Sequence, residues 1–555
     1  MKRKLYSLIV AFSLIFATSC DMDLLESPNE VTAETANPTW ILNNIQQAYA
    51  GNFSTLSTFG MQMTRMVSQP NVNYANAYFA QTMNGTWTSS YASILNDIKF
   101  LEGLATETAP LPRHRAIANV IKAMVLMNLV DYLDAVPWSE ALDPTNFNPN
   151  VDSGPQVYQA AFDALQTAKE LFGVTTANLP NDYFYGTASN DANRVTLWRR
   201  LIASLELKYH LNRRLIDQPG STAAINQLIA DGNLMATNGD FVFRYGTSNT
   251  NPSARHPLSG QLGGGGGAYQ STWYMFHLTE EKGFDDPRAR YYLYRQTLSN
   301  PDDPDELRCI GEIAPGHYLA GGWPFCLPNM ADGRGYWGRD HLNNEGIPPD
   351  NLRKTLYGLY PAGGRFDDNS ARPSNDLMAG AQGAGVQPIM LSGFVDFMLA
   401  EAALTLGTTG DPKALMLSGI TKQMNFVRSF AVGTLAATAV RAFTPDADFP
   451  ALRNNYVSSI SAEWDSAPEN RRMYLIGREY WLALYGNGIE AYNLYRRTGQ
   501  PDGMQPGLTP DPGLFPRSLL YPNDFVVTNS NAVQKPNLGV RVFWDTNPEG
   551  NTWVD

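Results

Sequence analysis

The residues with the clearest chemical potential in this sequence are aromatic rings placed in loops. Tyr74, Tyr78 and Phe79 lie in one such stretch. Trp323, Phe325, Tyr336 and Trp337 lie in another, with Arg339 and Asp340 just after them. A ring face packs against the apolar face of a sugar or against a peptide side chain, while neighbouring Asn, Asp and Arg groups hydrogen-bond hydroxyls or backbone amides. These rings, with Arg339 and Asp340, are candidate ligand contacts, although any one ring taken singly is more often core than contact. Trp87 and Tyr91 read as structural, because they start a helical pattern that continues through Ile94, Leu95 and Ile98.

Other chemistries find less support. The six histidines, at 114, 210, 256, 277, 317 and 341, are not spaced with Cys, Asp or one another as zinc ligands are. Asp302, Asp303, Asp305 and Glu306 lack the alternation of a calcium loop, and Asp-Pro steps are ordinary turn chemistry. The run Gly263 to Gly267 is not followed by the Lys-Ser or Lys-Thr of a phosphate loop. No Gly-x-Ser-x-Gly elbow supplies a nucleophile, and a pair among 53 acids is no signature of a glycosidase, although it leaves a hydrolase open. No catalytic residue, metal or cofactor is expected. A net charge of −12, with no Lys/Arg run beyond the first residues, disfavours nucleic acid.

The 555-residue chain opens with Lys2, Arg3 and Lys4, then an apolar stretch from Leu5 to Ala17 that is too short to span a bilayer of about 30 Å. This pattern reads as a signal peptide over residues 1–19, and the small residues before Cys20 resemble a bacterial lipobox. Cys20 is the expected acylation site and membrane tether, with an ordinary secreted protein as the alternative. Losing the three basic leader residues leaves a mature charge of −15. Cys309 and Cys326 are expected to form a disulfide worth about 3 kcal/mol, two buried free thiols being the other reading.

The positioning elements are mostly helical. Arg113 to Leu133 is apolar on nearly every side, which marks a buried helix. Val157, Ala161, Leu165, Ala168 and Phe172 form one stripe, and Trp198, Leu201, Ile202, Leu205 and Tyr209 another. Further helices are expected around Phe394 to Ala402, after Pro412, and over Arg471 to Tyr495 with an Asn-Gly break at Asn487. One-sided helices recurring at irregular intervals point to a mainly α fold of tetratricopeptide-like hairpins. Only 17% of residues are charged, against about 25% in an ordinary domain, and Gly 46 and Pro 36 make up part of the difference. These concentrate between Phe241 and Gly385, read as an irregular, loop-rich lobe on a helical scaffold spanning about 38–240 and 386–555. Residues 20–555 are taken as a single domain.

Several segments together resemble the SusD/RagB family of nutrient-binding outer-membrane lipoproteins of Bacteroidetes, particularly its second SusD-like subfamily. They are the Cys20 leader, YLDAVPWSEAL (Tyr132 to Leu142), YQSTWYMFHLTEEKGFDDPRARYY (Tyr269 to Tyr292), GYWGRDHLNNEGIPPD (Gly335 to Asp350), FVDFMLAEAAL (Phe394 to Leu404), EYWLALYGNGIEAYNLYRRTGQP (Glu479 to Pro501) and FPRSLLYP (Phe515 to Pro522). Acidic Asp21 and Asp23 after the cysteine resemble the surface-export signal of such lipoproteins. The resemblance implies a non-catalytic lid over a SusC-like TonB-dependent transporter, binding oligosaccharide or oligopeptide between lid and barrel. It places the ligand rings by region only, in the loop before the second helix and in the lobe, which makes Tyr74, Tyr78, Trp323, Tyr336 and Trp337, with Arg339 and Asp340 beside them, the expected ligand contacts. Arg497 and Arg517 are expected to pair within the C-terminal packing. Labelled fatty acid should enter the expressed chain and be lost from Cys20→Ala, and equal labelling of both would refute acylation at that site.

Overall fold

In the computed structural model of the chain, residues 36–235, 238–250, 253–259, 269–284, 286–295, 338–343, 355–357, 383–430, 447–507 and 511–547 are described. Cys20, Cys309, Cys326, Trp323, Tyr336, Trp337, the glycine run and the Asp302 to Glu306 cluster lie outside them.

The described chain is mainly α-helical. Helix α1 (Pro38–Met63) starts where the Asn37 side chain accepts from the Thr39 amide and Pro38 occupies the first turn. A second helical stretch runs through α2 (Asn84–Thr88), a π-helical segment (Ser89–Leu95) and α3 (Asn96–Gly103), beginning near Trp87 as its spacing predicts. Helix α4 (Pro112–Leu133) is long and apolar enough to cross a membrane, yet its most apolar window is 94% buried inside the protein. It is a core helix wrapped on all sides. Then come α5 (Gly154–Gly173), opened by a Ser153/Gln156 capping box, α6 (Asp191–Arg213) and α7 (Gln218–Asp231).

Among the described residues the loop-rich region and the strand that closes it carry α8 (Thr272–Thr279) and four short strands. These are β1 (Phe241–Arg244), β2 (Tyr294–Arg295), β3 (Thr355–Leu356) and β4 (Val386–Met390). β1 pairs antiparallel with β4, Phe241 facing Met390, so the ends of that region meet at its base; β2 pairs with β3. Beyond β4 lie α9 (Ser392–Leu406), α10 (Pro412–Phe430), α11 (Phe449–Ser466), α12 (Arg472–Ala483), α13 (Gly488–Thr498) and α14 (Asn523–Thr528). Neighbours in sequence pack on one another, α4 on α5, α5 on α6, α6 on α7, α9 on α10 and α10 on α11, as hairpins that cannot bury their stripes alone must.

The aromatic stretch breaks where its Asn-Gly step predicts. Asn487 caps α13 by accepting from the Glu490 amide, and its Nδ2 donates to the Pro388 and Ile389 carbonyls of β4 at 3.0 and 2.9 Å. Helix α13 then packs on α1 and joins the two ends of the described chain. The contact needs glycine on both sides. A Cβ on Gly60 would sit 2.0 Å from the Gly488 carbonyl oxygen, and one on Gly488 2.0 Å from the Ser57 carbonyl oxygen.

Helix α13 also carries Glu490, Asn493, Arg496 and Arg497 into the interior. Arg497 grips Glu401 of α9 through two bonds of 2.7 and 2.8 Å, and donates to Glu490 and Asn212. Arg214 adds a second guanidinium to Glu401 at 3.1 Å. Burial alone would raise the Glu401 carboxyl, but Arg497 and then Arg214 hold it below the usual range. Asn493 donates to Asp131 of α4, while Arg517 pairs with Asp545 at 2.7 Å. Both arginines thus serve packing.

Gly60→Ala should destabilise the chain by about 1–3 kcal/mol, because the added methyl meets backbone that cannot swing away. Gly51→Ala in the same helix has open space and should be neutral or stabilising by up to about 1 kcal/mol. Denaturant midpoints for the pair check this, and equal midpoints would refute the close-contact account.

Candidate functional site

After α1 the chain turns sharply at Arg65, whose φ of +59° lies in the left-handed region. That turn sends the guanidinium into the core instead of to solvent. Its Nε donates to the Gln505 carbonyl (2.8 Å), Nη1 to the Met63 carbonyl (2.5 Å) and Nη2 to the Tyr74 hydroxyl (2.9 Å). The Tyr74 hydroxyl also lies 3.1 Å from His341 Nε2. Burial first, and the Arg65 charge second, holds His341 well below its ordinary value, so its ring is neutral. Because Arg65 can only donate, the Tyr74 hydroxyl accepts from it and donates onward to Nε2. Protonated Nδ1 then remains without a hydrogen-bond partner.

Tyr74 and Tyr78 stand four apart around a one-turn helix (Tyr74–Ala77) capped by Asn73, and both point inward. Their rings are 2% and 1% exposed. The Tyr74 amide donates to the Pro512 carbonyl, and Gln69 Nε2 donates to the Tyr78 hydroxyl at 3.3 Å. Asp340 reaches the same cluster from a distant segment, with Arg339 beside it. Arg339 N donates to the Gln270 carbonyl, the Arg339 carbonyl accepts from Thr272 N, and its guanidinium lies 4.8 Å over the Tyr269 ring. Asp340 Oδ1 accepts from Gln505 Nε2 at 2.8 Å, and burial pushes its carboxyl up to about 7 against the pull of that bond.

The structure thus brings Tyr74, Tyr78, Arg339 and Asp340 together, but in a position other than the expected one. All four are buried, Tyr74, Tyr78 and Asp340 against Arg65, Gln69, His341 and Gln505 and Arg339 against Tyr269, Gln270 and Thr272, and none turns a face to solvent. They hold the loop. What this support presents outward is Phe79, 52% exposed, with the exposed Asn76 alongside in sequence. The signal for this was in the spacing, since two tyrosines four apart share one helical face and Phe79 falls off it.

No group of three or more His, Cys, Asp or Glu able to hold a metal ion occurs among the described residues. The buried carboxylates Asp286 and Glu479 are bridged by Arg288.

The SusD-like family described as starch-binding and associating with the outer membrane matches residues 28–306, and the SusD and RagB outer membrane lipoprotein family matches residues 381–540. No curated protein sequence matches the chain. Among solved structures, a chitin-binding protein is 18% identical, with 92% of this chain and 100% of that one covered at a TM-score of 0.63. A SusD/RagB family protein from Bacteroides thetaiotaomicron is 14% identical over 89% and 95% of the two chains, TM-score 0.63. A chitin-binding SusD homologue from Flavobacterium johnsoniae is 16% identical over 92% and 98%, TM-score 0.60. Likeness at these identities establishes a common fold.

The raised Asp340 carboxyl means that the folded chain binds this proton more tightly than the unfolded one. Stability from it is full below the unfolded value of roughly 4 and is lost as pH rises through about 7, by up to about 4 kcal/mol. Asp340→Asn should therefore gain over the wild type at pH 8 and match it near pH 4. Urea midpoints at the two pH values check this, and an equal difference at both would contradict it.

Proposed function

The chain belongs to the SusD/RagB family of outer membrane lipoproteins, and we propose that it is a surface-exposed binding lid for nutrient oligomers, oligosaccharides before oligopeptides. Its partner is a SusC-like TonB-dependent transporter, and its tether is an acylated Cys20. It binds and occludes cargo without changing covalent bonds. The observation that carries this reading is the ordered match of two family descriptions to the two ends of one chain, residues 28–306 and 381–540.

Saccharide is favoured over peptide because the fixed loop offers an exposed ring, Phe79, next to carboxamides at Asn73 and Asn76, with few charges. Planar rings beside neutral hydrogen-bonding groups suit a polyhydroxyl ligand. Trp323, Tyr336 and Trp337 are proposed as further contacts from the lobe, whereas Tyr74, Tyr78, Arg339 and Asp340 act by holding the loop. Two related folds are described as chitin-binding, which is consistent with a glycan ligand.

Calorimetry of the chain from Asp21 onward against glycan and peptide libraries tests the ligand class. Heat with saccharides, reduced about tenfold in affinity by Phe79→Ala, is expected. Heat with peptides alone would replace the glycan reading, and release of reducing ends or new amines on long incubation would overturn the binding-only one. Copurification with a large TonB-dependent barrel tests the partner.

A further inference from the structure

The Glu490 carboxylate that Arg497 holds through Oε1 also lines a small internal cavity that neither the Phe79 loop nor its support uses. Side chains from α1, α4, α6, β4, α9, α12 and α13 enclose it, so it sits where the first and last hairpins of the scaffold meet. About 20 Å³ within it is open to the centre of a water-sized sphere. By that measure one water needs roughly 10–15 Å³. The space suits a single molecule of that size.

Three of the polar side chains in its lining carry an atom that makes no hydrogen bond to the protein: Asn128 Nδ2 of α4, Tyr480 Oη of α12 and Glu490 Oε2 of α13. These residues are 6%, 0% and 4% exposed, so bulk solvent does not serve them. The neighbouring polar groups are already engaged. Tyr49 Oη, which stands near Asn128, donates to Met124 Sδ at 3.3 Å, and Asn487 Nδ2 donates to the carbonyls of β4. Lys208 Nζ lies 3.2 Å from Glu490 Oε2 as an ion pair without hydrogen-bonding geometry. The Tyr480 hydroxyl is close enough to Glu490 for that charge to raise it, after burial itself, yet the two do not bond. Buried polar atoms left in this way carry their full desolvation cost, and a near miss between two of them is the usual place of a bridging molecule.

The donor and acceptor set selects the occupant. Asn128 Nδ2 and Tyr480 Oη each present a hydrogen, and Glu490 Oε2 presents lone pairs. A cation would face the Asn128 N–H and the Lys208 ammonium, and an anion would face the Glu490 charge. An apolar molecule would leave all three atoms as they are. A molecule that accepts two hydrogens and donates one satisfies every one of them, and about three bonds is what a buried water makes. We infer that this cavity is a binding site for one resident water molecule, which bridges Asn128, Tyr480 and Glu490 and so joins α4, α12 and α13 at the centre of the scaffold. The site is independent of which cargo the chain binds.

High-resolution crystals of the mature chain test it directly. One water is expected within about 2.7–3.2 Å of Asn128 Nδ2, Tyr480 Oη and Glu490 Oε2 together. Asn128→Leu keeps the shape of the side chain and removes its amide, and Tyr480→Phe removes only the hydroxyl. Each should lower the folding equilibrium constant about tenfold, measured by urea unfolding. Because both lose the same bridge, the double variant should fall well short of the product of about a hundredfold. Should a variant fail to fold, the wild-type density decides alone. A cavity without density, Tyr480 Oη bonded directly to Glu490 Oε2, or a peak about 2.3–2.6 Å from Glu490 Oε2 as for a cation each overturns the site. Single-variant costs that multiply in full also overturn it, since independent contacts behave in that way.

Discussion

Burial of the Arg497 guanidinium against Glu401 is the interaction on which the scaffold turns. An isolated charge in a protein interior costs several kcal/mol, so neither partner can be there without the other. Glu401 rides on α9 and Arg497 on α13, and Arg214 and Asn212 at the end of α6 complete the set. Three hairpins are thereby fixed at one point by a bonded, directional contact, where apolar stripes alone would tolerate sliding. The same helix reaches α4 through Asn493 and Asp131, and α1 through the glycine crossing at Gly60 and Gly488. A polar helix has become the hub.

The site inherits its rigidity from that hub. Because α1 is pinned against α13, the turn at Arg65 occurs at a fixed place, and its guanidinium lands between Gln505, Met63 and Tyr74. A loop this long would ordinarily sample many conformations, at about 1–2 kcal/mol of entropy per ordered residue. Tyr74, Tyr78 and Gln69 offset that cost by filling the core beneath it. Phe79 can then stay exposed without letting the loop collapse over it.

Much of the helical frame was legible locally. The all-round apolar pattern of Ile117 to Val130 marked a core helix, the stripe Val157 to Phe172 a one-sided one, and Asn487-Gly488 a break between two aromatic helices. Each depends on periodicity or capping, which neighbouring residues settle among themselves. The roles of Tyr74, Tyr78, Arg339 and Asp340 were less legible. A tyrosine in a polar, Asn-rich stretch has the composition of a contact residue, and only partners far along the chain, His341 and Pro512, make Tyr74 a buried strut. Trp87 and Tyr91 packed as helix residues should, with Phe525 of α14 brought beside Trp87 from the far end of the chain.

The amino-acid order by itself determined the helical class, the positions of most helices and the likeness to a family, since these follow from short-range spacing, capping and motif order. Which rings face inward and which face water was decided only when the left-handed turn at Arg65, the Gly60–Gly488 crossing and the buried arginine pairs closed on one another. Those contacts join residues hundreds of positions apart, and their geometry depends on the whole chain being in place.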